Sequence, residues 1–143
     1  MTDNSARRAS FLLRRVLVHK NMQIDKALAS FGLSIAFWPV LLTIAKNPGL
    51  STHALAVNCF ITDQSCGQLI AKLADKGLIE RKPGPGKAIL HELTEAGETL
   101  LERADPILNK AVSAFFSPLE PEETVLLVNM FERLLGDQTV SGK

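Results

Sequence analysis

The spacing of apolar residues in the first third of the chain predicts two helices. Apolar side chains recur every three or four positions over residues 13–31, the period of one face of a long amphipathic helix, and Gly32 is expected to end it. Residues 35–46 are almost continuously apolar, so a second, buried helix is expected there, with Ser34 as its N-cap. Proline is tolerated in a first turn, so Pro39 is compatible with this helix.

Two shorter helices are predicted next, with a tight connection near residues 58–61. Ser51 is a suitable N-cap for the first and Thr62 for the second, which Gly77 is expected to end. The second helix carries its apolar residues at helical spacing: Cys66, Leu69, Ile70 and Leu73. Two short helices joined in this way form a helix-turn-helix.

The rest of the pattern predicts a hairpin followed by two helices. Residues 78–82 and 88–93 are short strand-like segments on either side of the sequence PGPG, a spacing typical of a β-hairpin. Thr94 is expected to cap a helix that Pro106 kinks. A last helix is expected to begin near Pro121.

Together these elements predict a single domain, residues 1–143, that is mainly α with a small β-hairpin wing. Residues 34–97 are expected to form a winged helix-turn-helix lobe. Residues 6–33 and 98–137 are expected to form dimerisation helices, because their apolar faces find no cover in so small a lobe and a second copy of the chain can cover them. The final residues are expected to be a frayed tail.

Composition and charge narrow the class of protein. With 46% apolar and 22% charged residues the chain is typical of a folded protein, and no apolar run reaches the roughly 18 residues that a membrane span needs. Two cysteines and no recognisable signal peptide indicate a cytoplasmic protein. The net charge is +4 over residues 1–30 (six basic, two acidic), +2 over 31–93 (six and four) and −5 over 94–143 (four and nine), so a polyanion is expected to meet the first two segments.

The segment LSTHALAVNCFITDQSCGQLIAKLADKGLIERK, followed after the hairpin by HELTEAGETLL, resembles the MarR-type (multiple antibiotic resistance regulator) transcription factors. The resemblance covers about residues 12–135, and the pairing of LADKGLIER with LTEAG is its most specific part. It implies a homodimeric transcriptional repressor that binds double-stranded DNA at a pseudo-palindromic operator. The dimer interface is then built from the first helix and the last two.

The same resemblance implies a way in which the protein is controlled. Many relatives respond to small phenolic or aromatic acids, and others respond to cysteine oxidation. A small aromatic effector is therefore expected in the cleft between the dimerisation helices and the DNA-binding lobe. The candidate lining residues, all of which also suit a core, are Phe11, Phe31, Phe37 and Trp38.

The helix after Thr62 is the expected recognition helix, and its outward side is polar. A glutamine amide can pair bidentately with adenine, and an aspartate can accept from the cytosine amine. The residues expected to contact the bases are Thr62, Asp63, Gln64, Ser65 and Gln68. The residues expected to contact the DNA backbone, from the preceding helix, the recognition helix and the wing, are Ser51, Thr52, His53, Lys72, Lys82 and Lys87. Each of these residues is also compatible with an ordinary capping or solvated role.

Three features depart from the usual MarR-type pattern. The wing has only Lys82 and Lys87 as cations, the recognition helix lacks an early Arg or Lys, and Phe60 stands in a turn where a small residue is usual. Fewer phosphate contacts predict a weaker electrostatic affinity and a flatter salt dependence. Gly67, inside the recognition helix, is expected to allow close approach of either DNA or a neighbouring helix.

Two other functions are compatible with the sequence. A winged-helix protein without DNA binding can act as a dimeric protein-interaction module, and a DNA binder can be controlled by oxidation of Cys59 or Cys66. Both cysteines lie on apolar helix sides without a neighbouring cation. We therefore expect them to be small buried side chains and not reactive thiols. No arrangement of residues suggests catalysis, a cofactor or a metal site.

Overall fold

The structure, a computed structural model, describes residues 4–136, so the predicted tail at 137–143 lies outside the described residues. Within that range the chain forms six α-helices and three short strands. In chain order these are α1 (Asn4–Leu28), α2 (Phe37–Lys46), β1 (Leu50–Ser51), α3 (Thr52–Cys59), α4 (Asp63–Asp75), β2 (Ile79–Pro83), β3 (Ile89–Leu93), α5 (Glu95–Phe116) and α6 (Pro121–Leu135). The predicted order of helices and hairpin is confirmed.

The connection between α1 and α2 corrects one predicted cap. A short 3-10 turn follows α1, and Gly32 then takes a left-handed conformation with φ 69°. α2 begins at Phe37, two residues later than predicted, and Ser34 does not cap it with its side chain. The Asp25 carboxylate instead accepts the N–H of Ile35 at 2.6 Å, so a long-range partner holds this segment out of the helix.

The other predicted N-caps are confirmed. Ser51, Thr62 and Thr94 each accept, with the side-chain oxygen, the backbone N–H three residues further on. The distances are 3.2, 3.0 and 3.1 Å respectively. These caps fix where both helices of the helix-turn-helix and the long helix α5 begin, because each satisfies an amide that has no partner inside its helix. The α5 helix continues through Pro106 to Phe116.

The wing is part of a three-stranded antiparallel sheet in the order β1-β3-β2. The β2–β3 hairpin was predicted, whereas β1 was not. This two-residue strand exists because Leu50 and Ser51 pair with His91 and Leu90 of β3, and the pairing attaches the wing to the start of α3. At the tip, the N–H of Gly84 donates to the carbonyl of Ala88 at 2.8 Å and closes the turn.

The core lies between α2, the helix-turn-helix and the inner parts of α1 and α5. Its fully buried side chains include Leu28, Leu41, Leu55 and Leu73. By contrast, the first half of α1 and nearly all of α6 expose their large apolar residues. No helix in the described chain has an apolar stretch long enough to cross a membrane.

Candidate nucleic-acid interface

The α4 helix separates an apolar side from a polar side, as predicted. Cys66, Ile70 and Leu73 are buried against the core. The predicted contact residues at the start of this helix, Thr62, Asp63, Gln64, Ser65 and Gln68, are all exposed. The packing of one side therefore fixes α4 to the lobe while its other side remains open to solvent.

The polar side chains of α4 differ in what they already bind. The Thr62 hydroxyl donates to the Ser65 hydroxyl at 2.9 Å, in addition to capping the helix. The Asp63 carboxylate lies 3.0 Å from Nδ1 of His53 on α3, which ties the two helices together. Gln64 and Gln68 have no side-chain hydrogen bond within residues 4–136. Their amides are therefore the groups on this surface that can pair with an external partner without breaking a contact.

The beginning of α3 presents only part of the surface that the sequence suggests. The Ser51 hydroxyl is used as the cap. The Thr52 hydroxyl lies 3.4 Å from Nε2 of His91, so it is directed towards the wing. His53 is exposed and paired with Asp63. Of these three predicted backbone contacts, His53 is the one whose side chain lies on the open surface.

His91 is a structural residue that sequence reasoning did not single out. It is almost fully buried, at 1% exposure. Its Nδ1 lies 3.1 Å from the carbonyl of Leu50, and its Nε2 faces Thr52. Burial lowers the pKa of this imidazole, the hydrogen bond to the Leu50 carbonyl opposes that shift, and the charge of Arg81 adds to the lowering. His91 thus joins the wing to β1 and α3 as a neutral side chain.

The wing carries three cations, not the two expected. Arg81 on β2 is exposed and opposite His91 in the strand register, and the sequence analysis missed it. Lys82 donates to the Glu92 carboxylate at 2.7 Å, and this hydrogen bond raises the pKa of the Lys82 ammonium. Lys87 near the tip is exposed, as is Lys72 in the last turn of α4. Arg81 and Lys87 are therefore the wing cations without a carboxylate partner in the described chain.

Gly67 has open space around it. An ideal Cβ built on this residue meets no heavy atom within 4 Å in the described chain, apart from its own helix and chain neighbours. A close approach by a neighbouring helix is therefore wrong as the reason for glycine. The alternative, close approach by DNA, stays a prediction.

The four aromatic residues predicted to line an effector pocket are not brought together. Phe11 is exposed on α1, Trp38 is buried in the core and Phe37 is half-buried against it. Phe31, in the turn after α1, lines a cleft of about 580 Å³ between that turn, Leu78 and the first half of α5. The other residues of this cleft are Leu78, Glu95, Ala96, Thr99, Leu100 and Arg103. The cleft thus combines apolar side chains with one cation, Arg103, and one carboxylate, Glu95.

The cysteines and histidines form no recognisable reactive centre. Burial raises the pKa of the Cys66 thiol to about 11, with smaller contributions from Cys59 and Asp63. Cys59 is half-buried, and its sulfur lies 3.6 Å from the Thr43 hydroxyl. Within residues 4–136 no group of His, Cys, Asp and Glu side chains is large enough to hold a metal ion.

A helix-turn-helix with an attached wing and an open polar recognition surface defines a winged-helix regulator, and known proteins give the family. The model of the MarR family matches residues 31–88. The HTH-type transcriptional repressor Rv2887 of Mycobacterium tuberculosis is 27% identical over 129 residues, 89% of this chain and 93% of that protein. The putative transcriptional regulatory protein for the hcr operon of Thauera aromatica is 30% identical over 128 residues, 87% of this chain and 76% of that protein.

Solved structures agree with this assignment. Rv2887 in complex with DNA has a TM-score of 0.74 and 26% identity, covering 89% of this chain and 97% of that one. Rv2887 in complex with salicylic acid has a TM-score of 0.70 and 27% identity, covering 87% and 94%. The chain belongs to the MarR family of transcriptional regulators, a class of regulatory proteins and not of enzymes.

Proposed function

We propose that this protein is a homodimeric repressor that binds a pseudo-palindromic operator in double-stranded DNA. The observation that carries the proposal is the pair of exposed, unpaired amides of Gln64 and Gln68 on the first two turns of α4, opposite the side that holds the helix to the core. The name of the similar protein Rv2887, a repressor, and its complex with DNA support it.

In the proposed complex the residues of the lobe divide into two groups. Gln64 and Gln68 pair with adenine edges in the major groove, and Asp63 and Ser65 reach neighbouring bases. The backbone amides at the start of α3, together with His53, hold a phosphate. The cations that reach further phosphates are Lys72, Arg81, Lys82 and Lys87. Lys82 has to leave Glu92 to do so, and its contribution is therefore the smallest.

The dimer follows from the apolar surface of the outer helices. Among residues 4–136, seven large apolar side chains are exposed on α1 and seven more on α6, and α6 has no buried residue. Leaving such an area in water is unfavourable by roughly 25 cal/mol per Å². A second copy that covers α1, α5 and α6 also gives twofold symmetry, and binding to two half-sites on one face of the duplex then requires the two recognition helices to lie about 34 Å apart.

The test is a salt-titrated binding assay with DNA from upstream of the protein's own gene. Gln64→Ala and Gln68→Ala are expected to weaken binding about 5- to 150-fold each, since a bidentate base pair contributes roughly 1–3 kcal/mol. Asn47→Ala removes an exposed amide at the end of α2, outside the outer helices and the polar side of α4, and serves as the matched control, with unchanged affinity expected. Sedimentation equilibrium should give twice the mass of one chain. Wild-type affinity in both glutamine variants, or a monomer at working concentration, contradicts the proposal.

A small aromatic acid is the proposed effector, and the cleft lined by Phe31 supports it. Leu78 and Leu100 offer apolar contact for a ring, and Arg103 can pair with a carboxylate. The complex of Rv2887 with salicylic acid supports this ligand class. Titration calorimetry with salicylate should give weaker binding for Arg103→Gln and unchanged binding for the control Lys110→Gln. Equal binding by both variants contradicts this location.

The two rival functions make different predictions in the same experiments. A protein-interaction module without DNA binding gives a dimer that ignores both glutamine substitutions. A cysteine-controlled regulator loses a peroxide response when Cys59 and Cys66 are replaced by serine. The buried, poorly acidic thiol of Cys66 makes this second function the weaker rival. The division into dimerisation helices (residues 6–33 and 98–137) and a DNA-binding lobe (residues 34–97) is part of the proposal.

A further inference from the structure

Two exposed apolar side chains of the helix-turn-helix are not explained by the dimer. Of nineteen large apolar residues that are exposed within residues 4–136, fourteen lie on α1 and α6. Val57 on α3 and Phe60 in the turn before α4 lie outside these helices, with 60% and 71% of their surfaces exposed. A dimer through α1, α5 and α6 therefore leaves this pair without cover.

The backbone at Phe60 adds a second unusual feature. Phe60 has φ 56° and ψ 41°, and among the described residues it alone combines a side chain with a positive φ. The left-handed conformation is costly for a bulky residue and easy for glycine or asparagine. Its N–H completes the end of α3 by donating to the Ala56 and Val57 carbonyls, a task that any non-proline residue can perform. The turn therefore requires a left-handed backbone at this position, but nothing in it requires an aromatic side chain.

The pair continues the proposed DNA-binding surface. Val57 lies four residues after His53, on the same side of α3, and Phe60 follows three residues later at the C-cap. His53 contacts Asp63, the first residue of the recognition helix, at 3.0 Å. Val57 therefore lies one helical turn from His53, on the side of α3 that meets α4, and Phe60 comes two residues before Thr62, the cap of the recognition helix.

We propose that Phe60, with Val57 beside it, is a specificity-determining residue that recognises thymine through its C5-methyl group. This inference rests on the proposed function and deepens it. In the major groove the thymine methyl is the apolar group that a phenyl ring can cover, and it distinguishes thymine from every other unmodified base. Burial of one methyl corresponds to about a fourfold change in affinity. The thymine that Phe60 contacts lies next to the base pairs that Gln64 and Gln68 contact.

The experiment removes the methyl group and nothing else from the DNA. A duplex is first selected from a random-core library with the full-length protein, and each thymine in one half-site is then replaced singly by deoxyuridine. At one or two positions the wild-type protein is expected to lose about fourfold in affinity. Phe60→Gly and Phe60→Asn, which suit the left-handed backbone, should bind the thymine and uracil duplexes equally. Phe60→Leu keeps an apolar side chain and should retain part of the discrimination.

Thermal unfolding of the same variants separates recognition from folding. Phe60→Gly and Phe60→Asn are expected to have an unchanged or raised Tm, because they relieve the backbone, while they lose discrimination against uracil. Equal affinity of the wild type for every uracil duplex overturns the inference but leaves the proposed function intact. Wild-type discrimination by Phe60→Gly or Phe60→Asn also overturns it, since another residue then reads the methyl. If the library yields no selected duplex, the inference and the proposed function fail together.

Discussion

The contact between the wing and α5 gives a prediction whose sign can be worked out from the structure. Gly97 is buried in the first turn of α5, and a Cβ added to it would lie 2.1 Å from the carbonyl oxygen of Leu78. Real Cβ atoms essentially never approach within 3.0 Å of such an atom, so Gly97→Ala must move the two backbones apart by about 0.9 Å. The same carbonyl accepts the N–H of Thr94 at 3.1 Å, and this hydrogen bond is lengthened as well.

The magnitude follows from three opposing contributions. Overpacking costs about 1–3 kcal/mol, a weakened hydrogen bond costs about 0.5–1.5 kcal/mol, and alanine gains about 1 kcal/mol in helix propensity. The net loss in the free energy of unfolding is therefore about 2 kcal/mol, a large share of the roughly 5–15 kcal/mol of a typical domain. Gly67→Ala is the matched control, because its Cβ meets open space. That variant should gain up to about 1 kcal/mol.

Urea unfolding followed by far-UV circular dichroism, at one fixed protein concentration, measures both variants. If Gly97→Ala is as stable as the wild type, the reasoning from the Leu78 contact is wrong. If Gly67→Ala is destabilised, the space around Gly67 is not open. On the proposed function Gly67→Ala should also bind operator DNA more weakly although it is more stable, since its new methyl group projects from the recognition helix. A rise in both stability and affinity contradicts that role for Gly67.

Three further predictions concern individual side chains. Thr62→Ala should reduce the free energy of unfolding by about 1 kcal/mol through loss of the N-cap of α4, whereas Thr62→Ser should not. Equal stability of the two variants in urea unfolding contradicts the role of Thr62 as the N-cap. Because burial lowers the pKa of His91, the folded state binds its proton less readily than the unfolded state, so the contribution of His91 to stability should be constant above about pH 6.5 and fall as the pH decreases below it. Urea titrations at a series of pH values should show that the free energy of unfolding falls less in His91→Gln than in the wild type. An identical fall in the two proteins would contradict the lowered pKa of His91. Iodoacetamide should label Cys59 before Cys66 in the native protein, because the Cys66 thiol is buried with a pKa of about 11. Mass spectrometry of peptides measures the order of labelling, and faster labelling of Cys66 contradicts its burial.

Local chemistry explains which parts of the fold the sequence could predict. The caps at Ser51, Thr62 and Thr94 depend on a hydroxyl and an amide three residues apart, so the sequence alone locates them. The apolar side of α4 follows from helical spacing in the same way. Ser34 was predicted wrongly because Asp25, nine residues earlier, binds the neighbouring amide of Ile35. No pattern within the segment from Ser34 onwards reveals that contact.

The candidate site shows the same limit. Strand β1 has only two residues and exists through its pairing with β3, about forty positions away, so periodicity cannot reveal it. The partnership of Lys82 with Glu92 depends on the register of the hairpin, which also places Arg81 opposite His91. The open amides of Gln64 and Gln68 follow from helical geometry, whereas the separation of the four predicted pocket aromatics depends on tertiary packing that the sequence does not state.

The absence of any buried side chain on α6 has a consequence for the amount of protein that a cell must make. Packing against the rest of its own chain contributes little to this helix, so on the proposed dimer its stability depends on the second copy. Two chains must then associate before the protein can bind its operator. At concentrations below the dissociation constant of the pair, and while most operators are empty, occupancy rises with the square of the chain concentration, so a twofold drop in synthesis frees about three-quarters of the occupied sites.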